Sequence, residues 1–247
     1  MKKIIFLSLT ILPLIIFGQV DSIPKNKLSF GLTFSPDYCY RSLKVGPSFW
    51  FIDDLRNKSE IPKIGYTTGL NIAWNINKRF SFETGLLYSD KGYKTKKLVF
   101  VHGDKIDPRT GFVYPNNWDP PIKGSFIYHY IYLDIPLKFR YYIMTRKINF
   151  YYTAGISSNI HLIDKSTSIF EYNDGKTVKK TSLNSYGFST VNLAFITGFG
   201  LDYDLTKNMY FIIEPIYRRS IISIISGSPI KGHLYSMGLN TGLYYKL

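Results

Sequence analysis

The chain has 247 residues, a formal charge of +14 and one cysteine, alongside 21 tyrosines and 18 phenylalanines. The length fits one domain, a single cysteine excludes an intrachain disulfide framework, and many aromatics at near-neutral mean hydropathy suit half-apolar strands better than helices. No zinc spacing, phosphate-binding glycine loop or haem-attachment motif is present, so no cofactor is expected.

The first element is MKKIIFLSLTILPLIIFGQV. Lys2 and Lys3 form a positive n-region, Ile4 to Phe17 an apolar h-region, and Ile16-x-Gly18 a cleavage site before Gln19. The apolar run is short beside the ~20 residues of a spanning helix. The sequence therefore predicts a cleaved export signal over 1–18 and a single domain over 19–247 carrying +12, since Lys2 and Lys3 leave with the signal. Nothing after Gln19 resembles a transmembrane helix. Export separates the protein from nucleic acid. The basic balance then suits anionic neighbours, namely outer-membrane lipids and lipopolysaccharide. Cys39 lies too far from the signal to be a lipoprotein's acylated residue.

Alternation dominates the rest of the chain. Leu28, Phe30, Leu32 and Phe34 alternate with Ser29, Gly31, Thr33 and Ser35. Ile64, Tyr66, Leu70, Ile72, Trp74 and Ile76 alternate with Lys63, Gly65, Thr67, Gly69, Asn71 and Ala73. The same period of two recurs in FSTVNLAFITGFGLDYDL and in LYSMGLNTGLYYKL. Strands are predicted over 27–36, 62–76, 79–92, 126–142, 148–164, 188–204, 208–221 and 233–247. The gaps at 77–78, 143–147 and 205–207 are short; those at 37–61, 93–125, 165–187 and 222–232 are long. Strict alternation of short and long connections predicts an all-β, eight-stranded antiparallel transmembrane β-barrel. Its short turns would be periplasmic, its long loops extracellular and both termini periplasmic. A soluble sandwich would not segregate loop lengths so regularly.

The short turns NINKRFSF, MTRKINFYY and LTKNMYF each lead into aromatics. Trp74, Tyr141, Tyr203 and Tyr245 end the strands that arrive there. Phe80, Phe150, Tyr210 and Phe211 open those that leave. Trp74, Phe80, Tyr141, Phe150, Tyr203, Phe211 and Tyr245 are thus expected to form a periplasmic aromatic girdle.

The fourth strand, YIYLDIPLKFRYYI, sorts its residues by parity. Asp134, Lys138 and Arg140 share one face, and Ile131, Leu133, Ile135, Leu137, Phe139 and Tyr141 share the other. In a membrane the apolar face meets lipid. Glu83, Glu214 and Arg218 have compatible parity, so Glu83, Asp134, Lys138, Arg140, Glu214 and Arg218 are expected to form a structural charge network in the lumen. Eight strands leave an interior that side chains can fill, and opposite charges there offset desolvation. Pro136 lacks an N–H, which predicts a bulge or local irregularity.

YIYLDIPLKFRYY resembles the "Y-[LI]-E/D-I-P-L" strand of the PorT-like outer-membrane β-barrel family. FSFETGLLYSDKGY, FYYTAGI, FITGFGLDYDL and SMGLNTGLYYKL resemble its other strands. The resemblance covers nearly the whole mature chain. It implies an eight-stranded outer-membrane barrel, generally without an assigned activity, whose name-giving branch resembles components of a secretion and gliding apparatus. The C-terminal strand ending at Leu247 resembles the signal read by barrel-assembly machinery, though that signal usually ends in an aromatic.

Individuality lies in the loops. Asn173-Asp174-Gly175-Lys176 is a hairpin signal, so strands five and six are expected to rise as a protruding arm, and 97–103 with 111–114 to form another. Exposed edges there suit strand addition by a secretion or surface partner. Lys91, Lys94, Lys96, Lys97, Lys176, Lys179 and Lys180 are basic near the outer leaflet. An enzyme is not expected. Two alternatives remain: an outer-membrane lipid-modifying enzyme using His161 or His129 with Ser157, Asn159 and Asp164, and a soluble lipocalin-like carrier of a lipophilic ligand. Asp104 and Asp107 lack a calcium-loop pattern. A monomer is the default.

Overall fold

A computed structural model describes residues 27–46, 50–100, 120–144, 148–184, 189–225 and 230–247, the side chain of Asn184 excepted. Residues 1–18, expected to be the signal, lie outside the described part. Eleven strands and one helix run in the order β1 (Leu28–Lys44), α1 (Trp50–Ser59), β2 (Glu60–Ile61), β3 (Lys63–Asn75), β4 (Phe80–Thr95), β5 (Leu98–Val99), β6 (Lys123–Met144), β7 (Ile148–Glu171), β8 (Thr177–Asn184), β9 (Val191–Asp204), β10 (Met209–Ser220) and β11 (Lys231–Lys246). Eight of them pair antiparallel in the order β1-β3-β4-β6-β7-β9-β10-β11, and β11 pairs back onto β1. The ring is closed. β2, β5 and β8 attach to β4, β6 and β7 beyond it.

The parity of each strand fixes its faces. Phe30, Leu32, Phe34, Leu70, Trp74, Phe82, Leu86, Leu137, Phe150, Phe199 and Leu243 are exposed on the outside. Ser29, Thr33, Thr67, Asn71, Ser81, Ser89, Thr153, Ser236 and Asn240 are buried inside. This is the inverse of a soluble lipocalin-like barrel, whose apolar side chains would face inward.

The short turns are closed by their own side chains. Asn77 Oδ1 accepts the Arg79 and Phe80 amides at 2.8 Å each, and Ile76 N donates to Phe80 O at 2.9 Å. Thr206 Oγ1 accepts the Met209 amide at 3.1 Å, and Leu205 N donates to Met209 O at 2.9 Å. Asn and Thr are suited to this because a short polar side chain mimics a backbone acceptor. Most of the third expected turn, 145–147, lies outside the described residues. The start of β1 and the end of β11 share this end of the ring, where Ser29 pairs with Lys246 and Leu28 with Trp74.

Several long loops are shorter than the alternation predicts. β1 does not stop at 36 but runs to Lys44, and α1 fills much of the remaining gap. Pro36 suggests a strand end in sequence. Instead its missing N–H falls where the β1–β11 ladder skips two residues without changing register, between Phe34↔Thr241 and Asp37↔Gly238. Pro136 behaves alike. The β4–β6 ladder lapses between Thr84↔Leu137 and Leu87↔Asp134 and resumes in the same register, so there is an irregularity but no bulge. Pro215 repeats the pattern between Ile213↔Leu201 and Ile216↔Gly198. The register shifts on β6 lie elsewhere, at Ile131/Tyr132, opposite the extra residue Leu162 of β7, and at Tyr142/Met144 near the short-turn end.

At the long-loop end β6 and β7 extend past the ring. β8 turns back along β7, and β5 pairs with the start of β6, giving an arm ordered β8-β7-β6-β5. Lys97 and Glu171 form an ion pair across it. The β7–β8 turn is the expected one. Tyr172 N donates to Lys176 O at 2.9 Å, Lys176 N to Asp174 Oδ1 at 2.8 Å, and Gly175 has φ of 83° with open space around it. Gly175→Ala meets no atom, so its cost is backbone strain alone, ~1 kcal/mol. Amide exchange over Thr177–Lys180 is expected to accelerate about fivefold, with the ring strands unchanged. Residues 101–119, which hold the rest of the second expected arm and both Asp104 and Asp107, lie outside the described part.

Candidate functional site

The lumen holds two stacked layers of charge. In the layer nearer the short turns, Glu83 on β4 ion-pairs with Lys138 and Arg140, both on the neighbouring strand β6. Lys138 Nζ also lies 3.7 Å from Glu214 Oε2 on β10. Tyr244 Oη donates to Glu83 Oε2 at 2.9 Å, and Asn240 Nδ2 to Glu214 Oε2 at 2.9 Å. The Arg140 guanidinium lies between two rings, 4.8 Å from the centroid of Tyr151 and 5.6 Å from that of Tyr244. Those rings need room, and glycine supplies it: a Cβ on Gly31 would meet the Tyr244 ring at 2.4 Å, and one on Gly200 the Tyr151 ring at 2.2 Å. These two inward glycines are therefore sockets for tyrosines that in turn flank Arg140.

In the second layer Arg218 Nη1 donates to Asp37 Oδ1 at 2.9 Å. Ser35 Oγ donates to the same oxygen at 2.7 Å, and Thr67 Oγ1 to Asp37 Oδ2 at 2.5 Å. Lys91 Nζ donates to Asp134 Oδ2 at 2.7 Å, and Asn159 Nδ2 to Asp134 Oδ1. The six expected lumen residues are all buried, but in two groups: Glu83, Lys138, Arg140 and Glu214 in one, and Asp134 and Arg218 each with a partner that sequence reasoning missed. Asp37 escapes because a first strand ending at Ser35–Pro36 excludes it. Its odd number, shared with Ser29, Thr33 and Ser35, is the available signal. Lys91, expected near the outer leaflet, points inward instead, on the same face of β4 as Glu83.

Above these layers the long-loop end is stoppered. Tyr93, Tyr130, Tyr132, Ile224 and Leu234 form a buried cluster, with Tyr40, Tyr128 and Ile225 packed on it. Arg41 lies 4.0 Å over the Tyr93 ring and ion-pairs with Glu60. Beneath the stopper remains a cavity of about 20 Å³, whereas the short-turn mouth opens into about 160 Å³ lined by Asn149, Asp202, Asp204 and Lys246. A site of about one water's volume suits solvent but not an organic ligand.

The candidates for catalysis do not converge. Ser157 is buried in the lumen and accepts from Asn159 Nδ2 at 3.2 Å. His161 sits beside the Leu162 bulge, 3.6 Å from Asp164, with its ring edge-on to Tyr132. His129 lies at the long-loop rim in a separate group, where its Nδ1 is 2.8 Å from both Asp90 Oδ2 and Lys63 Nζ. Among the described residues no cluster of His, Cys, Asp or Glu is arranged to hold a metal.

Outward aromatics mark both ends of the apolar belt. At the short-turn end Phe80 contacts Phe139 and Tyr141 at 5.2 and 5.1 Å between centroids, and Trp74, Phe150 and Tyr245 are exposed. Tyr203 and Phe211 are partly exposed and face each other across β9 and β10. A second set, not anticipated, lies at the other end: Tyr66 with Tyr88 at 6.0 Å, Tyr40 with Tyr235 at 5.9 Å, and Tyr217 with Tyr235 at 6.5 Å.

A closed ring, polar within and apolar without between two aromatic zones, is the arrangement of a membrane-spanning barrel. The model of the outer membrane protein beta-barrel domain family matches residues 19–226. The chain belongs to that family. As a member it is a transmembrane β-barrel of the outer membrane. Among solved structures it is similar to Neisserial surface protein A, at 14% identity over 89% of this chain and 97% of that one, with a TM-score of 0.40. It is likewise similar to OprG from Pseudomonas aeruginosa, at 13% identity over 93% and 99%, with a TM-score of 0.40. Ail of Yersinia pestis in complex with a heparin analogue matches at 12% identity over 91% and 100%, with a TM-score of 0.32. No curated protein matches the sequence.

Proposed function

We propose that this outer-membrane barrel is a non-enzymatic surface protein that captures a protein partner on its arm, in the service of protein secretion. The observation that carries this reading is the edge of β8. Among the described residues β8 pairs with β7 alone, and Lys179 and Lys180 on it are exposed. An unpaired edge offers main-chain donors and acceptors to an extended segment, and the lysines favour an acidic one. The filled lumen supports a scaffold role over transport. The PorT-like strand motifs support the secretion link. Under this reading the short turns and both termini are periplasmic and the arm is extracellular.

The test is a clean deletion complemented either by the wild-type chain or by Lys179→Glu/Lys180→Glu, with secreted and surface-exposed proteins quantified. The deletion should lose one cargo class from the surface with the outer membrane intact, and the double variant should restore it poorly. A cargo profile unchanged by deletion removes the secretion role.

A further inference from the structure

The outer rim carries cations that neither the lumen nor the arm uses. On the outward face Arg219 of β10 pairs with Phe195 of β9 on one side and Tyr235 of β11 on the other. Further along the strands Lys44 of β1 pairs with Lys231 of β11. Arg219, Lys44 and Lys231 are exposed, and none forms an ion pair with a described residue. Arg41, close by, differs in being paired with Glu60. Lys44, Arg219 and His233 line a cleft of about 200 Å³ together with Phe195, Ser220 and Ile221. His233 Nδ1 donates to the Ser220 carbonyl at 3.2 Å, which fixes the ring and leaves Nε2 as its other polar atom.

The height of this cleft decides its ligand. The run from Phe211 to Arg219, at ~3.4 Å per residue and a tilt of ~40°, climbs about 20 Å. Arg219 therefore stands near the top of the ~25 Å apolar band of such barrels, level with Tyr235, while Lys44 and Lys231 lie higher. Headgroup phosphates sit at that height. Cations above and exposed Phe195 and Ile221 at the same cleft present one surface to an anion and another to an acyl chain.

We propose that this cleft binds a phosphorylated lipid of the outer leaflet, its phosphate held by Arg219 and Lys44 and its acyl chain laid against Phe195 and Ile221. A free anion has no use for the apolar wall, and an uncharged lipid none for the cations. The site rests on the membrane-spanning reading but not on partner capture by β8, and it stands or falls separately.

Native mass spectrometry of the refolded full chain tests it, with three probes: bisphosphorylated lipid A, the same lipid dephosphorylated, and inorganic phosphate. The wild-type barrel should retain the phosphorylated lipid, and Lys44→Gln/Arg219→Gln should lose it about tenfold. Lys176→Gln/Lys179→Gln, with the same charge loss on the arm, should bind as wild type. Dephosphorylated lipid should bind all three weakly and alike, and millimolar inorganic phosphate should not displace the lipid. Retention by the rim variant, equal loss in the arm variant, or displacement by inorganic phosphate overturns the proposal. A heat-dependent gel shift verifies refolding. Should the double variant not refold, Lys44→Gln alone, at an exposed strand end, is expected to lose about threefold, and no loss overturns the proposal equally.

Discussion

Replacing Arg140 with methionine is expected to lower the unfolding free energy by about 3–5 kcal/mol, the cost of stranding a buried charge. Arg140 is fully buried and ion-pairs with Glu83, which Tyr244 also contacts. Without it Glu83 and Glu214 share Lys138 alone, and the layer carries an uncompensated negative charge. Methionine keeps the fit between the Tyr151 and Tyr244 rings, because a flexible thioether packs well on aromatics. The loss is therefore electrostatic. Urea unfolding of the refolded barrel in detergent reads it. Adding Glu83→Gln to Arg140→Met restores neutrality and should recover more than half of the loss. A loss under ~1 kcal/mol, or a double variant no better than the single one, would show that the layer does not act as a pair-compensated core.

The second large effect lies on the opposite face of the same strand. Leu137→Arg is expected to cost ~2–4 kcal/mol in a bilayer, because Leu137 projects outward near the middle of the apolar belt. Leu183→Arg is the depth control. Leu183 is as exposed, at 66% against 55%, but stands on β8 in the arm. Its replacement should change stability by less than ~0.5 kcal/mol. Equal effects at both sites would mean that no apolar solvent surrounds β6, and the membrane reading would fail with them.

The two faces of β6 are legible in sequence because parity needs no tertiary information: Asp134, Lys138 and Arg140 cannot share a side with Leu133 and Leu137 in an extended chain. Closure is legible from the alternation of turn lengths. What escapes has local causes. Pro36 reads as a stop in sequence, yet a ladder tolerates it where two residues go unpaired, so the expected β1 is too short and omits Asp37. Lys91 groups with Lys94, Lys96 and Lys97 by proximity, although its parity with Glu83 and Ser89 points inward. The stopper of Tyr93, Tyr130 and Tyr132 draws on β4 and β6 together with Leu234 of β11 and Ile224 from beyond β10. Tyr130 and Tyr132 share parity with Asp134, but convergence of four segments has no signature in any one of them. Helix α1 is held by Arg56, which donates to the Arg41 carbonyl at 2.8 Å and lies over Tyr40, contacts invisible before the fold.

The pairing of β1 with β11 also sets a clock. Ser29 finds its partner at Lys246 and Leu32 at Leu243, nearly the whole chain apart. Every other seam of the ring joins strands that are near neighbours in sequence. The β1–β11 seam therefore waits for β11 to be made, and loop-closure entropy makes it slow. Until then both β1 and β11 carry a bare edge, able to template on each other or on another copy. Insertion must keep these two edges apart from strangers until they meet, so the vulnerable interval in the life of this protein is the time before its first strand finds its last.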